Sequence, residues 1–222
     1  MKMTVSKERA KCIRKFLYYF PGGFAGNKFT SWERDYKWAA HVKWKENLYK
    51  KEYLRLLALK DYVEISRRAT WLESGTNLLF SFEKMAIRDA VKTGNGAQLF
   101  AEGLYEYIYG KKTLQRRFED FAQMLALLPR KQTRVVTWPL QTVFGFIANP
   151  SEFIFLKPRV TQIAAKKYNY PFRYVSKPNW DTYQSLLDFA ALVKQDVAAL
   201  KPQDMIDIQS FIWVLGSEEY PD

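Results

Sequence analysis

The chain has 222 residues, 48% hydrophobic and 17% aromatic, and carries 35 Lys and Arg against 23 Asp and Glu, a formal net charge of +12. Composition of this kind excludes a disordered chain, and the length is ample for one substantial core. No apolar run reaches the roughly 18–20 residues that cross a bilayer, and a single Cys12 with a single His41 excludes an internal disulfide and a zinc site built from this chain alone.

The first residues, MKMTVSKERAKC, are charged and lack an apolar signal region, so a cytoplasmic protein with no membrane association is expected. Charge is unevenly spread. Residues 1–60 hold 15 basic against 5 acidic residues, and residues 111–180 hold 13 against 3. Residues 61–110 are near neutral, while 181–222 hold 2 basic against 8 acidic residues. Segregated charge of this sort steers an anionic partner if the blocks share a surface, and does nothing if they point apart.

Turn chemistry divides the chain into helix-sized pieces. Pro21-Gly22-Gly23 with Gly26 marks a loop, and the Thr30…Glu33 spacing of a capping box predicts a helix from about Ser31 to Tyr49. Helical segments follow near 50–59 and 61–73. Another starts after Ser74-Gly75-Thr76-Asn77 and ends before Gly94-Asn95-Gly96, and two more fit 97–109 and 114–128, the latter opened by Thr113. The run from Val135 to Ala148 is interrupted by Pro139 and reads as buried core. Phe153-Ile154-Phe155-Leu156 and Phe172-Arg173-Tyr174-Val175 read as two short strands, separated by a helix that Pro158 opens. Pro178-Asn179 introduces a long helix to about Leu200, and Pro202 a last one ending at Gly216. The expected fold is mainly α, a helical domain with a small two-stranded β element in the C-terminal third. Residues 1–222 read as one integrated domain; segment 128–134 would separate subdomains 1–130, helical, and 131–222, α+β.

On a helical wheel, Trp32, Tyr36, Ala40, Trp44 and Leu48 form one apolar stripe of the helix 31–49, and Trp38, Val42 and Tyr49 a second. Between them lie Arg34, Lys37, His41 and Lys45, flanked by Trp38 and Trp44. Cations for phosphates beside Trp faces for bases suit a nucleic acid. The plain alternative is a solvated face between two packed stripes. His41 among cations is expected to stay neutral near pH 7 and serve as an acceptor. Arg159, Gln162 and Lys166 share the outer face of the short helix after Pro158 and form a secondary candidate contact.

In the segment Asn77 to Lys92, Lys84 and Arg88 belong to one polar stripe and form a candidate anion site, while Glu83 and Asp89 project among apolar residues. Carboxylates buried in this way are candidates for acid–base chemistry, or else for structural ion pairs with Arg67 or Arg68. In the last helix Gln209 projects among Met205, Ile206 and Trp213, where a buried amide requires a hydrogen-bond partner. Asp204 and Asp207 fall near the polar side of that helix. Phosphate-loop, dinucleotide-fold, nucleophile-elbow and zinc-enzyme patterns are all missing, so no cofactor and no metal is expected.

The stretches Trp71-Leu72-Glu73-Ser74-Gly75-Thr76-Asn77-Leu78-Leu79-Phe80-Ser81-Phe82-Glu83-Lys84 and Asp204-Met205-Ile206-Asp207-Ile208-Gln209-Ser210-Phe211-Ile212-Trp213 resemble segments of uncharacterised bacterial proteins. The resemblance implies a bacterial cytosolic protein and assigns no activity. The residues themselves lead to a nucleic-acid-binding protein, for DNA or RNA, that uses the Trp-flanked basic face. Two alternatives stand beside it. One is an enzyme acting on a phosphorylated or nucleic-acid substrate through Glu83 or Asp89 near Lys84 and Arg88; the other is an interaction module for an acidic protein partner.

Overall fold

The computed structural model of the chain describes residues 5–92, 94–129 and 135–222. In chain order the helices are α1 (Lys7–Tyr19), α2 (Asn27–Phe29), α3 (Asp35–Asn47), α4 (Lys50–Ala58), α5 (Tyr62–Ser74), α6 (Ser81–Ala90), α7 (Gly94–Tyr109), α8 (Leu114–Leu127), α9 (Trp138–Ala148), α10 (Pro158–Lys167), α11 (Trp180–Asp196) and α12 (Met205–Gly216). Short 3₁₀ turns lie at Gly23–Ala25 and Ala198–Leu200, and a π turn at Thr30–Arg34 joins α2 to α3.

Two of these helices are almost wholly apolar, and the others wrap them. All 11 residues of α9 are buried, and α9 packs against α3, α5, α7 and α8. Pro139 does not interrupt it, because it occupies the first turn, where the amide it lacks would have had no partner and its fixed φ suits the helix. α12 is buried along nearly its whole length and packs against α1, α10, α11 and the π turn. A closely apposed neighbour explains the glycine at its end: a Cβ at Gly216 would run into the carbonyl oxygen of Val160 in the first turn of α10. Contacts of α3 with α9 and of α11 with α8 tie the two halves of the sequence together. Of the segment 128–134 read as a separator, residues 130–134 lie outside the described residues.

The expected two-stranded β element is not there; no residue among those described is in a strand. Residues 153–157 and 171–175 have no regular secondary structure and do not pair with each other. Their backbone groups are satisfied by side chains of neighbouring helices. Ile154 N–H donates to Tyr183 Oη at 3.2 Å and Leu156 N–H to Thr142 Oγ1 at 3.0 Å. Arg173 N–H donates to Ser185 Oγ at 3.1 Å, Val175 N–H to Thr182 Oγ1 at 3.1 Å, and Val175 O accepts from Trp138 Nε1 at 2.8 Å. Irregular backbone demands a partner for each buried amide, and hydroxyls on α9 and α11 meet that demand as a strand would.

Candidate functional site

The helix predicted over 31–49 forms, but its inward face differs from the wheel. Asp35 N–H bonds to Thr30 O, five residues back, so one extra residue is accommodated in the turn before α3. Beyond that turn Lys37, Ala40, Trp44 and Leu48 face the core, while Trp32, Trp38, Val42 and Tyr49 are exposed. Arg34 is 6% exposed and Lys37 only 2%. The Arg34 guanidinium spans two carboxylates of α12, with Nη1 2.6 Å from Asp207 Oδ1 and Nη2 2.8 Å from Asp204 Oδ2. Asp207 is 0% exposed and also accepts from Gln203 N–H at 2.7 Å. Burial pushes its carboxyl upward, against the pull of that amide and of Arg34. Lys37 Nζ donates to Ser210 Oγ at 2.7 Å and to Glu33 Oε2 at 3.2 Å, and Tyr220 Oη donates to the other Glu33 oxygen at 2.5 Å. Two of the three cations assigned to a phosphate-binding face are therefore neutralised inside the protein.

The remaining residues of that face divide. Trp38 is half exposed, with the Arg34 guanidinium 5.0 Å from its ring centre and the His41 ring 5.0 Å away. His41 Nδ1 lies 2.9 Å from Ile147 O; a carbonyl only accepts, so that nitrogen is the donor and Nε2 carries the lone pair of the neutral ring. Burial holds the His41 pKa below its ordinary value. Trp44 is buried and donates to Tyr109 Oη at 3.1 Å, while Lys45 is in solvent. On α10, Arg159 is exposed and paired with Glu218 at 2.8 Å, Gln162 bonds back to Pro158 O at 3.2 Å, and Lys166 is exposed.

Glu83 and Asp89 separate as well. Asp89 and Arg88 are exposed, contrary to the expected burial of Asp89. Asp89 shares its face of α6 with Phe82 and Met85, which are themselves exposed, so apolar neighbours on the wheel did not mark a buried face. Lys84 turns back to donate to Thr76 O at 2.6 Å and lies 3.7 Å from Glu73. Glu83 is 3% exposed. Its partners are not Arg67 and Arg68, which pair with Glu64 and Glu52. Instead Phe80 N–H donates to Glu83 Oε2 at 3.0 Å and Thr137 Oγ1 to Glu83 Oε1 at 3.3 Å. Both oxygens are thus held at the start of α6, where negative charge complements the helix dipole.

That capped helix start is part of a larger arrangement. A cavity of about 800 Å³ opens where four helices begin. Its lining includes Phe80, Phe82 and Glu83 at the start of α6, Thr137, Trp138 and Pro139 at the start of α9, Lys157 and Pro158 at the start of α10, and Pro178 and Asn179 just before α11. One face of α8, carrying Phe118, Ala122 and Ala126, closes the side. Each helix start carries about half a positive charge on amides with no intrahelical acceptor, and Glu83 and Glu119, which also line the cavity, offset part of it. Thr137 and Asn179 cap their helices by accepting from Leu140 N–H and Thr182 N–H. Lys157, the residue before α10, provides no side-chain cap.

Lys157 is the cation of this hollow. Its Nζ lies 2.9 Å from Leu78 O and 3.5 Å from the centre of the Phe80 ring. No carboxylate among the described residues pairs with it within 4.0 Å. Burial pushes the ammonium pKa down from its usual value, with Glu83 and Glu73 opposing from a distance. Phe80 and Phe82 stack at 5.5 Å and remain half exposed at the rim. Lys177 also lines the hollow. A second cavity of about 400 Å³ adjoins it, with Phe80 and Lys157 in both walls. No group of three or more His, Cys, Asp or Glu side chains among the described residues could hold a metal.

Sequence reasoning passed over Lys157 and the two Phe rings. A signal was present in two Lys-Pro pairs, Lys157-Pro158 and Lys177-Pro178, each set immediately before a helix. Proline marks where the helix begins, and the lysine ahead of it adds charge at the positive end of the dipole. Among the described residues, no helix is long and apolar enough to cross a membrane. Comparisons with family models, with curated proteins and with solved structures find no match to this chain.

Proposed function

We propose that this protein binds a phosphorylated organic ligand in the hollow formed by the starts of α6, α9, α10 and α11. The observation that carries this reading is the convergence of those four helix starts on Lys157, a half-buried lysine with no carboxylate paired to it. Backbone amides at a helix start suit phosphate oxygens, and a lysine that closes no ion pair, bonded only to a carbonyl and set against a ring, is available to an anion. Phe80, Phe82, Phe118 and Trp138 provide the apolar walls for the rest of the ligand. Glu83 serves this site as the cap that orients the start of α6, because both of its oxygens already accept hydrogen bonds. Titration calorimetry with phosphomonoesters tests the reading. Ribose 5-phosphate and nucleoside 5′-monophosphates are expected to bind, and Lys157→Met is expected to weaken them at least tenfold. Absence of binding by every phosphomonoester overturns it.

A nucleic-acid surface is the second reading, and one observation favours it on a different face. Lys11, Lys15 and Lys167 all act electrostatically on Cys12 where α1 meets α10, and Lys166 and Gln162 lie exposed on the same short helix. Asp222 bridges Lys15 and Lys167 at 2.6 and 2.7 Å and offsets part of that charge. Binding of DNA or RNA through this face would fall steeply with salt, as released counterions require. A titration at low salt that shows no binding to either polymer removes this reading.

A further inference from the structure

The smaller cavity beside Lys157 holds a side chain that the protein leaves unfinished. Gln209 lies in the wall of that cavity and is 4% exposed, yet its Oε1 is buried without a hydrogen-bond partner. A buried amide oxygen of this kind costs free energy unless something accepts the role of donor. No neighbouring group donates to it: Asp207 is an acceptor held by Arg34 and Gln203, and the Ser210 hydroxyl is engaged with Lys37. The same wall is rich in rings. Trp32, Tyr36, Phe155 and Trp213 line it with Phe80, and Trp32 is 57% exposed, with Lys28 Nζ 4.6 Å from its ring centre.

The Gln209 oxygen lies beneath the wall, and a half-turn of the last side-chain torsion exchanges it with the amide nitrogen, so flat apolar faces beside this amide fit a planar ring with a hydrogen-bonding edge. A nucleobase has that form: every base has a face for stacking, and its edge sets donors beside acceptors. A purely apolar ring would leave the Gln209 amide unmet, and a sugar alone would leave the aromatic faces idle. Phe80 and Lys157 belong to both cavities, so one molecule can extend from the four helix starts, past Lys157, to Gln209. We propose that the smaller cavity is a nucleobase subsite read by Gln209, and that the ligand of this protein is a nucleotide. The inference rests on the phosphate reading above and names the ligand class for that site.

Three sets of probes separate the two ideas: nucleoside 5′-monophosphates with adenine, guanine, cytosine or uracil, the four parent nucleosides, and ribose 5-phosphate. Each is titrated against the native chain and the Gln209→Leu variant, with calorimetry and tryptophan fluorescence as readouts. Leu is close to Gln in volume and removes the unpartnered amide, so circular dichroism and the unfolding midpoint are expected to show a fold at least as stable. At least one monophosphate is expected to bind the native chain tenfold or more tightly than ribose 5-phosphate, with a change in tryptophan emission. Gln209→Leu is expected to abolish that advantage and leave ribose 5-phosphate unchanged. If every monophosphate binds no better than ribose 5-phosphate, the base subsite is overturned and the phosphate reading stands. If ribose 5-phosphate fails but a nucleoside binds in a Gln209-dependent manner, the phosphate reading falls and the base subsite survives. Binding by none of the probes overturns both.

Discussion

The π turn with α3 and the start of α10 both lie in basic stretches of the chain, and both bury cations, with opposite outcomes. Arg34 and Lys37 meet carboxylates and a hydroxyl that close around them: Asp204 and Asp207 from α12, Ser210 from the same helix, and Glu33 one turn away. Lys157 meets a backbone carbonyl and a phenyl ring, and no carboxylate comes within 4.0 Å among the described residues. Burial of an ion is tolerable when its partners surround it, and a lysine buried without them is held at a cost. The difference separates charge closed into ion pairs from charge that is not. In this molecule the acidic C-terminal part of the chain supplies two carboxylates to Arg34 and one to Arg159, but none to Lys157.

Stability measurements should divide the two regions most sharply. Arg34→Ala leaves the fully buried Asp207 without its cation, and a loss of about 3–5 kcal/mol in urea unfolding is expected. Lys157→Met removes a desolvated charge that closes no ion pair, so the same experiment should show a change within about 1 kcal/mol, with a gain permitted. Equal losses in the two variants would break the comparison. Next in size is Gly216→Ala. The added methyl would meet the Val160 carbonyl in a rigid turn of α10, and overpacking of this kind costs about 1–3 kcal/mol. Since that turn follows Lys157 directly, phosphomonoester affinity should fall in parallel; unaltered affinity would show that the site does not depend on the α10–α12 apposition.

Titration gives smaller effects with opposite directions. Burial, with Lys45 adding to it, holds the folded-state pKa of His41 below 6.5, while the Ile147 carbonyl and Asp204 oppose the shift. As pH falls through 6.5 the unfolded chain takes up a proton before the folded chain does, so stability is lost, with a slope of at most about 1.4 kcal/mol per pH unit. Below the folded-state pKa the curve flattens. His41→Gln should reduce that slope, and an unchanged profile would remove His41 as its source. Lys157 moves the other way in function. Burial, opposed by Glu83 and Glu73, lowers its pKa from 10.5, so phosphomonoester affinity should decline on the alkaline side before pH 10.5 is reached. The smallest effect belongs to Arg159→Ala: the Arg159–Glu218 pair is about 80% exposed on both sides, and the unfolding midpoint should not move measurably.

Much of the local structure was legible because it depends on neighbours in sequence. Asp61, Thr113 and Asn179 cap α5, α8 and α11 through their own side chains, and Pro158 opens α10 where its geometry predicts. α1 was overlooked, since its apolar positions Cys12 and Phe16 are sparse within a highly charged segment, and Ser6 is its only cap signal. The burial of Glu83 was readable from helical periodicity, but its partners were not. Phe80 lies three residues away, whereas Thr137 is brought in by the start of α9, 54 residues later. The basic face on α3 failed as a face for a related reason: the π turn alters the phase between Arg34 and the following helix, and the carboxylates that claim Arg34 lie 170 and 173 residues away.

By itself, then, the sequence determined the helical character of the chain, the position of most helix starts, the buried run at 135–148 and an excess of 12 positive charges. Caps, proline geometry and helical periodicity act within a turn or two and are visible without a fold. Tertiary structure alone decided that two segments read as strands would bond to helix hydroxyls in place of each other, and which cations would be spent on carboxylates. It also brought four helix starts to one hollow, left Lys157 there without a carboxylate partner, and left the Gln209 oxygen without a donor beside the adjoining cavity. Those outcomes depend on partners many tens of residues apart, and the availability of a hydrogen-bonding or charged partner is a property of packing, not of neighbouring sequence.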